Sequence, residues 1–179
     1  NGGGFLDPGH NTKGENPVGI TIASGKIITN RTLEGSSYGL IGFNEDNTLV
    51  LLHNVTGESA LEMGVRDAVT MAPFLIVNGK PAFTKGNGGW GYAARTAIGQ
   101  RKDGIVLFLV IDSNATRTKG ASMKDLVEIM QRYGAVNAAN LDGGTSSAMV
   151  VEGTMINDPI DSVGRHRTRG IPTVFNVIP

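Results

Sequence analysis

The stretch Asn140-Leu141-Asp142-Gly143-Gly144-Thr145-Ser146-Ser147 places a carboxylate, two adjacent glycines and three consecutive hydroxyls just beyond an apolar segment. Side-by-side glycines allow a sharp turn whose N–H groups can be aimed at an oxyanion or a phosphate while Asp142 faces the same point. Asp-Gly-Gly is also ordinary turn chemistry, in which Asp142 or a hydroxyl only caps the following segment, and at this level both readings stand. A second carboxylate, Asp112, closes the apolar run 105–111. Its bland reading is an Asx turn that ends a strand.

The elements around these two carboxylates suggest why they would meet. Residues 105–111 are continuously apolar, as expected of a strand covered on both faces. Residues 122–133 have helical spacing, with Met123, Leu126, Val127, Met130 and Tyr133 on one side, Ser122 as N-cap, Asp125 three positions on and Gly134 as the stop. Residues 135–141 form a further short strand. The sequence thus predicts a βαβ unit (strand 105–111, helix 122–133, strand 135–141) with parallel strands and a right-handed crossover. Asp112 and Asp142 then emerge on the same sheet edge, where open sheets commonly bind ligands.

The remaining chain reads as short strands separated by turns, in keeping with 26 dispersed glycines. Hairpins are expected for 18–22 with 26–29, for 38–43 with 48–53, and at Asn78-Gly79 after 74–77. A second helix is expected near 59–69, with Ser59 and Glu62 as capping box and Leu61, Val65, Ala68 and Val69 as its apolar face. The fold class is therefore α+β, a single domain over 1–179 with a mixed, strand-rich sheet.

Sixteen basic and sixteen acidic residues cancel, so no long-range field draws in nucleic acid or an acidic membrane, and an anionic ligand must be held by a few local arginines. No cysteine is present, which excludes disulfides and thiolate metal sites. No apolar run is long enough to span a bilayer and no signal segment is visible, so the chain reads as a soluble domain. Its start at Asn1 without a methionine suggests that upstream sequence was processed or left out. His10, His53 and His166 lack ligand spacing, and Asp7, Asp112, Asp142 and Asp158 lack that of a calcium loop, so neither an obligatory metal nor a cofactor is expected. A Ser or Thr nucleophile at 145–147 would need a histidine base that the sequence does not place nearby.

Several motifs in order resemble the phosphodiester glycosidase family, the domain shared by the mannose 6-phosphate uncovering enzyme of animals and many bacterial envelope and exopolysaccharide proteins. They are Asn1-Gly2-Gly3-Gly4-Phe5, Arg95-Thr96-Ala97-Ile98-Gly99, Asn140 to Ser147, and an arginine near the end before a final apolar strand. The resemblance covers nearly the whole chain. It implies hydrolysis of the anomeric bond of a sugar-1-phosphodiester, such as one of N-acetylglucosamine, releasing free sugar and a phosphomonoester. The catalytic carboxylate would be Asp142, with Asp112 as partner. Substrate and phosphate would be held by Asn1, Gly2, Arg95, Thr96, Gly143, Gly144, Thr145, Ser146, Ser147 and Arg169. An envelope glycopolymer as substrate and an extracellular or cell-envelope location are also implied.

The pattern departs from the family in three places. Asp112-Ser113-Asn114 stands where Asp-Gly-Arg is typical, so that the basic group found there is either missing or displaced to Arg117; Thr145 stands where glycine is commoner; and Arg165, Arg167 and Arg169 compete for the terminal arginine, spacing to Ile171 selecting Arg169. Duller roles remain open for Arg95, as a surface ion pair, and for Asn1, as a turn residue. Trp90 and Tyr92 around the glycine-rich 86–91 can form a mobile loop stacking on a sugar or a plug over the core. The alternative function is a non-catalytic carbohydrate or sugar-phosphate-binding module.

Overall fold

Strand residues of one parity face a shared interior and those of the other face a helix, and this sorting builds the fold. The structure, a computed structural model, describes residues 1–7, 14–31, 37–114, 118–161 and 163–178. In chain order its elements are β1 (Phe5–Leu6), β2 (Asn16–Pro17), β3 (Ile20–Ala23), β4 (Lys26–Asn30), β5 (Gly39–Asn44), β6 (Leu49–Leu52), α1 (Gly57–Glu62), β7 (Val65–Met71), β8 (Phe74–Val77), β9 (Lys80–Pro81), β10 (Arg95–Arg101), β11 (Val106–Ile111), α2 (Met123–Arg132), β12 (Ala135–Asn140), β13 (Val150–Val151) and β14 (Thr154–Met155). Two five-stranded sheets carry the architecture, one ordered β4-β3-β7-β5-β6 and the other β11-β10-β12-β8-β9. Ile41, Leu49, Val69 and Met71 of the first sheet meet Ile98, Ala139 and Leu141 from the second in the central core. On the outer face of the second sheet, Met123, Leu126, Val127 and Met130 of α2 pack on Ile76, Ala97 and Ala138. Ala60 of α1 packs with Ile20, Ile22, Leu40 and Ala68 on the outer face of the first. The layers are helix, sheet, sheet, helix, as burial of one face of each helix and both faces of each sheet requires.

The α+β, strand-rich class holds, and the hairpins form as the turn residues require. Ser24-Gly25 and Asn78-Gly79 both adopt positive φ at both positions, the tight turn that matches strand twist. Helix α2 has the expected Ser122–Asp125 capping box and ends before Gly134 at φ +81°. The expected strands 105–111 and 135–141 run in the same direction, but they are not neighbours. Strand β10 lies between them and pairs antiparallel with both, so every ladder between the named strands is antiparallel. That leaves β11 at the sheet edge with Phe108 exposed, whereas the apolar run had suggested a strand covered on both faces.

The helix near 59–69 is a correction. Helix α1 stops at Glu62, its capping box is Thr56 with Ser59, and Gly64 at φ +79° turns the chain into β7. Val65, Ala68 and Val69 serve a strand between β3 and β5, with Ala68 opposite both Ile22 and Gly42. Two-sided burial gives such a strand no period of its own, and its apolar positions mimic helical spacing. The expected final strand is also absent among the described residues. The segment after Gly170 lies without a ladder, with Phe175 edge-on to Phe43 and the Thr173 hydroxyl accepting from the Gly3 amide.

The register of the second sheet fixes what comes next. Ala97 lies opposite Asn140 and Arg95 opposite Ile111, so the start of β10 and the ends of β11 and β12 share one edge. Leu126 is fully buried between α2 and this sheet. Leu126→Ala should cost about 2–5 kcal/mol in denaturant unfolding, while Ile28→Ala, at a residue 60% exposed, should stay within about 0.5 kcal/mol.

Candidate functional site

At that edge the chain leaves β12 and turns sharply. The Leu141 amide donates to the Thr96 carbonyl at 2.9 Å and the Gly144 amide to the Ala94 carbonyl at 2.8 Å, clamping the turn to β10. Both glycines are required, for different reasons. A Cβ on Gly143 would lie 2.8 Å from the Ala94 carbonyl oxygen, and Gly144 adopts φ +60°, where a side chain is strained. Residues 144–146 form one 3₁₀ turn that buries the Ser146 and Ser147 side chains.

Asp142 points into this turn. One carboxylate oxygen accepts from the Gly143 amide at 3.0 Å and the other from Arg169 Nη2 at 3.3 Å. Arg169 Nε donates to Ser146 Oγ at 2.6 Å, and its guanidinium lies 4.7 Å over the Phe5 ring. The N-terminal motif closes the other side. The Asp142 amide donates to the Gly2 carbonyl at 3.0 Å, and the Asn1 side-chain amide donates to the Asp142 carbonyl. Asp142, Arg169, Ser146, Asn1 and Gly2 are thus brought together from both ends of the sequence. Thr145 contributes its carbonyl, which accepts from the Thr168 hydroxyl at 3.0 Å. Thr96 Oγ1, Asn140 Oδ1, Ser147 Oγ and Asn1 Oδ1 are buried near the turn without a protein partner.

Three expectations change. The Gly143 and Gly144 amides do not form an open phosphate cradle, since one donates to the Asp142 carboxylate and the other to the Ala94 carbonyl, as buried N–H groups demand. Arg95 does not reach out to grip an anion. It is buried, with Nε donating to the Ala121 carbonyl at 3.1 Å and Nη2 to those of Trp90 and Gly91 at 2.8 and 2.9 Å. Burial pulls its pKa below the ordinary arginine value, and the three carbonyls replace lost hydration. Asp112 is no free partner carboxylate, because its oxygens accept from Asn157 Nδ2 at 2.7 Å and from the Asp158 amide at 2.9 Å.

Asn157 escaped sequence reasoning, being a lone amide outside any motif. It bonds Asp112, the Ser147 carbonyl at 2.9 Å and the Met149 amide at 2.8 Å, tying the exit of the turn to the end of β11. Phe5 was visible in the N-terminal motif, but nothing signalled that it would lie against Arg169. The other terminal arginines are spoken for: Arg165 and Arg167 both bind Asp161, at 2.9 and 2.8 Å. His166 pairs with Asp158 and His53 lies against Phe74. His10 and Arg117 lie outside the described residues. Among the described residues no three histidine or acidic side chains converge as a metal site would need, and no helix is long and apolar enough to cross a membrane. Trp90 and Tyr92 are exposed rather than plugging the core.

Two stacked sheets between helices, with a carboxylate turn and an opposed guanidinium at the edge of the second sheet, define an α+β protein with a paired carboxylate and guanidinium at the strand ends. The chain belongs to the phosphodiester glycosidase family, whose model it matches over residues 1–178. It is 31% identical over 129 residues, 69% of this chain, to the SPbeta prophage-derived uncharacterized protein YomE of Bacillus subtilis, and spans 20% of that protein. Over 69 residues, 38% of this chain, it is 36% identical to N-acetylglucosamine-1-phosphodiester alpha-N-acetylglucosaminidase of Bos taurus, of which it spans 13%. The zebrafish catalytic domain of that name, auto-inhibited by its pro-peptide, shares the fold with a TM-score of 0.70 at 24% identity, over 89% of this chain and 54% of that one.

Two outcomes follow from these contacts. Asn157→Ala should speed hydrogen exchange at the Met149 amide, which loses its acceptor, while the Gly144 amide bonded to Ala94 stays protected; NMR exchange reads both. The Arg165 amide, with the Arg165 and Arg167 guanidiniums, holds the Asp161 carboxyl below its ordinary value. A depressed folded-state pKa adds stability above the unfolded value, about 4, and loses it as pH falls below that. The melting temperatures of wild type and Asp161→Asn should therefore differ at pH 7 and converge as the medium is acidified below about pH 4.

Proposed function

We propose that this chain hydrolyses the anomeric bond of a sugar-1-phosphodiester, such as one of N-acetylglucosamine, releasing free sugar and a phosphomonoester. The observation that carries the reading is the Asp142 carboxylate, fixed by the Gly143 amide, with the Arg169 guanidinium 3.3 Å from its second oxygen. Family membership supports the reaction class, and the buried unpartnered oxygens around the turn favour a polar ligand.

The chemistry suits so sparse a site. When the anomeric C–O bond breaks, its electron pair goes to the bridging oxygen, which departs as part of a stable phosphomonoester anion, so no acid need protonate the leaving group. Positive charge develops on the sugar, and Asp142 answers it either by bonding to the anomeric carbon, in a covalent intermediate that water then hydrolyses to free sugar, or by taking a proton from the water that attacks that carbon directly. Arg169, oriented by Ser146 and the Phe5 ring, offers its remaining N–H donors to the departing phosphate. Asp112 and Arg95 act as positioning residues, one through Asn157 and one through the backbone of 90–91. Sugar phosphodiesters of an envelope glycopolymer, met at the cell envelope or outside the cell, are the natural source of such a substrate.

On methyl α-N-acetylglucosamine 1-phosphate diester, Asp142→Asn should lower kcat by about 10²- to 10⁴-fold, and Arg169→Ala by about 10²- to 10³-fold. Asp112→Asn, which keeps one oxygen acceptor, should lose less than either. Turnover undiminished in Asp142→Asn would overturn the assignment. Retained sugar-phosphate binding with no turnover by wild type would favour the binding-module alternative.

A further inference from the structure

Beside the reacting turn, residues 86–94 read Gly-Asn-Gly-Gly-Trp-Gly-Tyr-Ala-Ala, without a single charge. Trp90 is 42% and Tyr92 59% exposed, in a chain with only one tryptophan and three tyrosines. Two large rings two residues apart in an uncharged segment offer more exposed aromatic surface than the single apolar side chains that any protein surface carries. The backbone beneath them is pinned at both ends. The Asn87 carbonyl accepts from the Met123 amide at 3.2 Å and the Asn87 side chain from the Gly89 amide at 2.9 Å. Arg95 Nη2 holds the Trp90 and Gly91 carbonyls, which places Trp90 within one arginine side chain of β10.

The segment that anchors the rings also anchors the chemistry. Ala94 accepts the Gly144 amide, two residues beyond Asp142, and Arg95 follows it directly. A buried guanidinium that bonds three carbonyls and, among the described residues, no carboxylate is a costly way to hold a loop, and its effect here is to fix the backbone that carries Trp90 and Tyr92.

We propose that Trp90 and Tyr92 form a subsite for a pyranose ring of the substrate beyond the reacting phosphodiester, so that the preferred substrate is a glycan rather than a single sugar phosphate. This rests on the reaction proposed above. The chemistry fits an uncharged sugar. The electron-rich ring face attracts the weakly positive C–H face of a pyranose, while the indole N–H and the phenol can bond its hydroxyls. A charged partner would find no counter-charge between residues 86 and 94. Arg95 is the positioning residue of the subsite.

Because Trp90 is the only tryptophan, its fluorescence reports on the subsite directly. Titration with N-acetylglucosamine oligomers of one to four units should shift the emission saturably and more tightly with length, with Tyr92→Ala weakening binding. In kinetics, Trp90→Ala should raise KM about tenfold more on a phosphodiester carrying an oligosaccharide than on the methyl diester, about the size of one aromatic contact. Trp90→Phe should restore most of the difference, which a folding defect would not allow. Equal effects on both substrates, or no fluorescence response, would overturn the subsite. So would an emission shift that follows protein concentration and dimer mass in sedimentation, since the face would then meet a second copy of the chain. If wild type hydrolyses neither diester, the reaction fails while the titration still decides the subsite.

Discussion

The register between β10 and β12 is the constraint on which the rest of the site depends. With Ala97 opposite Asn140, the backbone of 94–96 runs alongside the turn and supplies two carbonyls to its amides. A slip of one residue would exchange the faces of β12, moving Ala138 into the central core and Ala139 toward α2. The packing of both cores therefore guards the position of Asp142. Asn140 reinforces it, its backbone amide donating to the Pro73 carbonyl and its side chain to that of Ala72, which joins the turn to the link between the two sheets.

Charge is used sparingly. Of the carboxylates and guanidiniums that the sequence brought to this edge, Arg95 and Asp112 are spent on holding loops, and Arg165 and Arg167 on Asp161. Asp142 and Arg169 are left facing each other as a neutral pair at 3.3 Å. A second free carboxylate beside Asp142 would repel it, and Asp112 is instead withdrawn into a cage of a side-chain amide and a backbone amide.

Much of this was legible in the chain. The turn, helix α2 with its cap, the hairpins and the shared edge of residues 112 and 142 follow from local rules: glycine conformations, capping pairs and apolar spacing. What was not legible depends on neighbours. The insertion of β10 between β11 and β12 is a matter of long-range pairing, and β7 lost its strand period because both its faces are buried. The hydrogen-bond partners of Arg95 and Asp112 were not legible for one reason. A charged side chain near a strand end looks the same in sequence whether it faces a ligand or a loop carbonyl, and Asn157, which decides the matter for Asp112, carries no pattern at all.

The turn at 142–147 is closed by Asn1 from 141 residues before and by Arg169 from 27 residues after. Such wide separations make this corner of the molecule among the last to assemble, since loop closure must precede the contacts that reward it. Synthesis proceeds from the N-terminus, so a growing chain presents Asp142 without its guanidinium until Arg169 has emerged. Chains that stop short of Arg169 would carry the carboxylate and lack its counterpart, and the pairing of the two becomes a late mark of folding.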